Sequence, residues 1–110
     1  MKAEIQASRG AKLELIINNA DNQVVAYLNA EQVYTKSTEH DPSFNDSYDF
    51  GSRLQVGRNI LDVVGVNWGG PHHFKGTVKL NGNVVGTWDD YRKGSSPGLV
   101  SDFCFVITVS

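Results

Sequence analysis

The chain predicts an all-β fold, an antiparallel β-sandwich of about eight to nine strands, on three observations. Short apolar-alternating segments recur roughly every 8–12 residues between turn signals. No stretch sustains a helical period. The segment Ile60–Gly82 also sets strand against turn clearly: β-branched Val63, Val64 and Val66, then Trp68-Gly69-Gly70-Pro71-His72-His73, then alternating Phe74–Leu80 ending in the hairpin signal Asn81-Gly82.

Taken in order, Ala3–Ser8 alternates weakly, as an edge strand would, and Arg9-Gly10-Ala11 turns it. Lys12–Asn18 is a stronger strand with Leu13, Leu15 and Ile17 on one face, broken by Asn19-Ala20-Asp21-Asn22. Gln23–Leu28 follows, Asn29-Ala30-Glu31 turns, and Gln32–Thr35 returns. Lys36–Asp49 reads as a long irregular loop, being rich in Ser, Asp and Asn. Arg53–Val56 reads as a short strand and Gly57-Arg58-Asn59 as a turn. Ile60–Asn67, Phe74–Leu80 and Val84–Trp88 then form an expected three-stranded meander. A second long loop, Asp89–Val100, precedes a last strand, Asp102–Val109, with Phe103, Phe105, Ile107 and Val109 on one face.

A chain of 110 residues makes one domain, expected over 1–110, large enough to bury a core without staples. A single cysteine, Cys104, excludes an internal disulfide. In the last strand it alternates away from Phe103 and Phe105, as an ordinary packed thiol. The amino terminus lacks the apolar core of a signal peptide, and no apolar run reaches the ~20 residues of a membrane span, so a soluble chain without membrane insertion is expected, its compartment open. A formal net charge of −2 with scattered cations argues against nucleic acid as a partner.

If each turn reverses the chain, residues 9–11, 29–31, 57–59 and 81–83 fall at one plain end. Residues 19–22, 36–49, 67–73 and 89–101 fall at the other, which carries Asp21, Glu39, Asp41, Asp46, Asp49, Asp89 and Asp90 together with His40, Phe44, Tyr48, Trp68, His72, His73, Trp88 and Tyr91. Carboxylates, amides and flat rings together suit a neutral polyhydroxylated ligand: polar groups meet hydroxyls and rings cover the apolar face of a sugar.

Several pieces, in order, resemble the galactose-binding-like jelly-roll superfamily of carbohydrate-binding modules and small bacterial lectins. They are Ala20-Asp21-Asn22 with Val25–Asn29, Leu54 with Gly57–Leu61, and Val66–Pro71 followed by Val78–Gly82. The resemblance spans about residues 13–85 and implies a jelly roll binding a galactose-type carbohydrate through loops at one end. Asp89-Asp90 with Ser101–Phe103 is also faintly similar to calcium-dependent lectins of this group. Leu99-Val100, however, stands where those lectins place paired asparagines, so the calcium bridge does not carry over.

The expected ligand-binding residues are Asp21, Asn22, Asn67, Trp68, His72, His73, Asp89, Asp90 and Tyr91. Trp68 is read as a stacking platform or a lid over the core, Trp88 as a core edge, and Tyr48 and Tyr91 as binding residues or loop anchors. Adjacent His72 and His73 point to opposite sides of an extended chain and do not readily share a metal. If calcium binds, Asp41, Asp46, Asp49, Asp89 and Asp90 are its candidate ligands, although their spacing is not that of an EF-hand. No nucleophile elbow or acid–base signature frames the loop Ser, His and Asp residues, so a non-catalytic sugar-binding module is expected. The alternative is a structural or protein-interaction domain; exposed strand edges would also allow a homo-oligomer.

Overall fold

A computed structural model describes residues 2–37 and 43–110, so Glu39, His40 and Asp41 lie outside the described residues. Its nine strands are β1 (Lys2–Ala7), β2 (Leu13–Asp21), β3 (Gln23–Leu28), β4 (Glu31–Ser37), β5 (Ser43–Asp49), β6 (Gly57–Asn67), β7 (Gly70–Leu80), β8 (Asn83–Ser95) and β9 (Gly98–Val109). They form two facing sheets, ordered β1-β9-β6-β3-β4 and β5-β2-β7-β8. This is the expected sandwich. Every described pairing is antiparallel except β1 with β9, which is parallel.

Inward positions follow the predicted alternation. Leu13, Leu15 and Ile17 of β2 meet Leu61 and Val63 of β6 and Phe105, Ile107 and Val109 of β9 in one apolar cluster. Each such side chain contributes about 1.5–3 kcal/mol by leaving water. Trp88 is core, its ring stacked on Phe103 at 5.5 Å and tilted against Phe105 at 5.9 Å. Two glycines make room for large rings. A Cβ on Gly76 would lie 2.2 Å from the Trp88 ring and 2.5 Å from the Ile16 carbonyl oxygen, and one on Gly65 would lie 2.7 Å from the Phe74 ring. The hairpin at Asn81-Gly82 is as expected, with positive φ at both residues.

Several local expectations are corrected. The three-stranded meander does not form: β6 pairs with β3 and β9, while β7 pairs with β2 and β8, so the Trp68-Gly69 turn carries the chain from one sheet to the other. The polar stretch 43–49 is a strand, because an edge strand needs backbone partners on one side only and β2 supplies them. The loop expected over 89–100 is mostly the paired ends of β8 and β9. Likewise β6 and β7 continue through Asn67 and from Gly70, leaving two connecting residues of the loop expected over 67–73. Residues 51–53 form a 3-10 turn in place of the strand expected over 53–56.

Gly57 starts β6 rather than a turn, and Asn59 is fully buried. The Asn59 amide holds that end together, donating to the carbonyls of Gln55, Gly57 and Ile107 at 2.8, 3.2 and 3.3 Å and accepting the Gln55 N–H at 3.0 Å.

At the end expected to be elaborated, the described connectors at Asn22, Trp68-Gly69 and Ser96-Pro97 all pass between the sheets. At the other end, Asn29-Ala30 and Asn81-Gly82 are hairpins within a sheet, while residues 8–12 and 50–56 cross between the sheets.

Candidate functional site

Two of those crossings are joined. Asn22 accepts the Trp68 N–H on Oδ1 at 2.7 Å and donates its own N–H to Val66 at 3.1 Å, so the β2–β3 and β6–β7 passages lie side by side. Trp68 is thereby held at the tip of the sandwich with 47 % of its surface exposed. It is not a lid over the core.

The parity of β7 divides the predicted residues into two groups. Phe74, Gly76 and Val78 face the core, so His72 faces it too, and His73 faces out. On the outer face, register places Asp21 of β2 and Tyr91 of β8 on either side of His73, in one row across three strands. Adjacent strands lie about 4.8 Å apart, so the row spans roughly 10 Å. His73 Nε2 donates to Asp89 Oδ1 at 2.6 Å, and its ring meets Tyr91 edge-on at 5.5 Å. Tyr91 is 60 % exposed. Lys75 lies opposite Asp89 in the next outward pair.

The inward group is structural. His72 is buried, tilted against Phe74 at 5.4 Å, with Nε2 3.4 Å from Asp90 Oδ2. Asp90 Oδ2 also accepts from the Ser101 hydroxyl of β9, and Asp90 Oδ1 lies 3.8 Å from Arg92 Nε. Asn67 is buried at the crossing and donates to the Gly70 carbonyl at 3.1 Å. His72, Asp90 and Asn67 therefore point between the sheets and are corrected from ligand contacts to supports of the end that carries Trp68. Ser101 is not among the expected ligand-binding residues. Its signal was a hydroxyl on the inward face of β9, where Phe103, Phe105, Ile107 and Val109 are its same-face neighbours.

The acidic residues do not gather. Asp46 faces β4 and accepts the Tyr34 hydroxyl at 2.5 Å, and the Tyr34 and Tyr48 rings stack at 6.1 Å, so Tyr48 is an anchor. Burial first, then the hydrogen bond and charge of Asp46, push the Tyr34 phenol well above its ordinary value. Asp49 lies at the opposite end of the sandwich, where its Oδ1 accepts the Gly51 N–H at 3.0 Å. Asp46 and Asp49 sit on β5 and Asp89 and Asp90 on β8, the two edges of one sheet, about 14 Å apart. The proposed calcium set is thus corrected, with Asp41 outside the described residues. Among the described residues no group of three or more His, Cys, Asp or Glu side chains is arranged to hold a metal ion.

Cys104 is half-buried, on the face of β9 opposite to Phe103 and Phe105 as expected. No helix among the described residues is long and apolar enough to cross a membrane. Compared with protein-family models, with curated proteins and with solved structures, the chain matches none.

Proposed function

We propose that the chain is a non-catalytic carbohydrate-binding module or small lectin, with its sugar site at the Trp68 end of the sandwich, on the tip and the adjoining outer face of the four-stranded sheet. The observation that carries this is the outward row Tyr91–His73–Asp21 beside Asp89 and near the exposed Trp68 end. Two exposed rings at one end offer flat apolar platforms, and beside Tyr91 stand the Asp21 carboxylate and the His73–Asp89 pair, which its own hydrogen bond orients. A face of this kind holds a pyranose by stacking its C–H surface while its hydroxyls donate to Asp21 and Asp89.

A hydrolytic reading has less support. Within the cluster of Ser101, Asp90 and His72 the carboxylate stands between hydroxyl and imidazole, so the imidazole is not aligned to take the serine proton.

A glycan-array screen of the purified protein, repeated with chelator, tests the proposal. Binding that survives chelation and falls by about tenfold or more in Trp68→Ala and Tyr91→Ala, with unchanged circular dichroism, is the expected result. Folded protein that binds no glycan in either buffer would overturn it in favour of a protein-interaction domain.

A further inference from the structure

The end of the sandwich away from Trp68 contains a cleft of about 540 Å³ between the Ser8–Lys12 turn and the connector that follows β5. Leu54, Val56 and Val109 line it with apolar surface, Val56 being 58 % exposed. Both walls are held by backbone hydrogen bonds. Ala11 N–H donates to Ser8 at 3.1 Å, Asn81 N–H to Lys12 at 2.8 Å, and Phe50 N–H to Leu13 at 2.9 Å. The cleft is therefore formed before any ligand arrives, which lowers the ordering cost of binding.

Two opposite charges line this cleft without pairing with each other. Arg9 makes no hydrogen bond or ion pair among the described residues, and Asp49 engages only the Gly51 backbone there. The second cation, Lys12, lies 3.6 Å from Glu14. A simple anion would gain Arg9 but meet Asp49, a simple cation the reverse, and a neutral hydrocarbon would leave both charges unanswered. A zwitterion with an aliphatic body answers all three features: its carboxylate meets Arg9, its ammonium meets Asp49, and its side chain covers Leu54 and Val56. The volume lies within the roughly 300–1,000 Å³ usual for small-molecule sites.

We propose that this cleft is a second binding site, independent of the sugar face, for a small zwitterion with an aliphatic body: a free amino acid or dipeptide of the leucine or valine kind.

The test is a titration of 15N-labelled protein, followed by amide shifts, with three probes: Leu-Leu, N-acetyl-Leu-Leu, which lacks the ammonium, and Leu-Leu amide, which lacks the carboxylate. Leu-Leu is expected to shift Gly10, Gly51 and Val56 in a saturable way, with a Kd on the order of 1 mM, leaving Asp21, Trp68 and Tyr91 unmoved. Each capped probe binds about tenfold more weakly. Arg9→Gln abolishes the preference for Leu-Leu over its amide, and Asp49→Asn, which retains an acceptor for the Gly51 N–H, abolishes the preference over the acetylated form. Either of two results overturns the proposal: no saturable shift around the cleft with Leu-Leu, or equal affinity for all three probes in the unsubstituted protein.

Discussion

His73 Nε2 lies 2.6 Å from Asp89 Oδ1 on the open face of the four-stranded sheet, while its neighbour His72 points the opposite way and approaches Asp90 in the interior. The same two residue types thus form two pairs on opposite faces of the same two strands. One is available to a ligand and the other closes the space between the sheets.

Replacing the outward pair should alter binding and spare stability. His73→Ala or Asp89→Asn changes the unfolding free energy by no more than about 0.5 kcal/mol, since both lie at a surface where little is buried. Each weakens the tightest glycan found on the array by about tenfold, as isothermal titration would read.

Replacing the inward pair should do the reverse. Ser101→Ala leaves the Asp90 carboxylate short of a donor in a part-buried site, and Asp90→Ala takes the acceptor from the Ser101 hydroxyl and the carboxylate from beside the buried His72 ring. Each costs about 1–3 kcal/mol in urea unfolding. Glycan affinity, measured where the variants remain folded, stays within about threefold of the parent value.

Much of this division follows from the parity of the strands, and parity is legible in the sequence. Phe74 and Val78 mark the inward face of β7, so His72 shares it; Trp88 does the same for Asp90 on β8. The sandwich itself was legible for the same reason, in the rows Leu13/Leu15/Ile17 and Phe103/Phe105/Ile107/Val109. What alternation does not encode is the identity of a strand's neighbour. Two residues, Trp68-Gly69, join β6 to β7 as a hairpin turn would, yet the strands lie in different sheets. The strand Ser43–Asp49 was hidden because its pairing with β2 is made by the backbone, which polar side chains do not prevent. The cleft at the plain end was hidden because it is built from Ser8–Lys12 and Gly51–Val56, segments far apart in the chain with no motif between them.

Gly76 offers a sharp test of the core. Gly76→Ala would place a methyl group 2.2 Å from the Trp88 ring and 2.5 Å from the Ile16 carbonyl oxygen, and the backbone oxygen cannot swing aside as a side chain can. The variant should lose about 1–3 kcal/mol, lowering Tm by roughly 5–15 °C in a calorimetric scan. Lys75→Ala, one residue away and facing solvent, should shift it by no more than roughly 3 °C.

The Tyr34–Asp46 contact joins the edges of the two sheets and gives stability an alkaline limit. The folded chain holds the Tyr34 proton more tightly than the unfolded one, whose tyrosine ionises at its ordinary value of about 10. Below that pH both states keep the proton and the contribution is complete. As pH rises above about 10 the unfolded chain releases a proton that the folded chain retains, and stability falls. Urea unfolding from pH 8 to 11 should therefore show a steeper decline in the parent protein than in Tyr34→Phe. Parallel curves would contradict this.

The proposed sugar-binding surface unites the Trp68 tip with the Tyr91–His73–Asp21 row. The most direct measurement is amide-shift mapping of 15N-labelled protein titrated with the strongest glycan from the array. A binding surface at this end predicts saturable shifts at Asp21, Asn22, Trp68, His73, Asp89 and Tyr91, with Gly10, Gly51 and Val56 unmoved. Saturable shifts confined to another face, or the absence of any glycan that produces them, would contradict it.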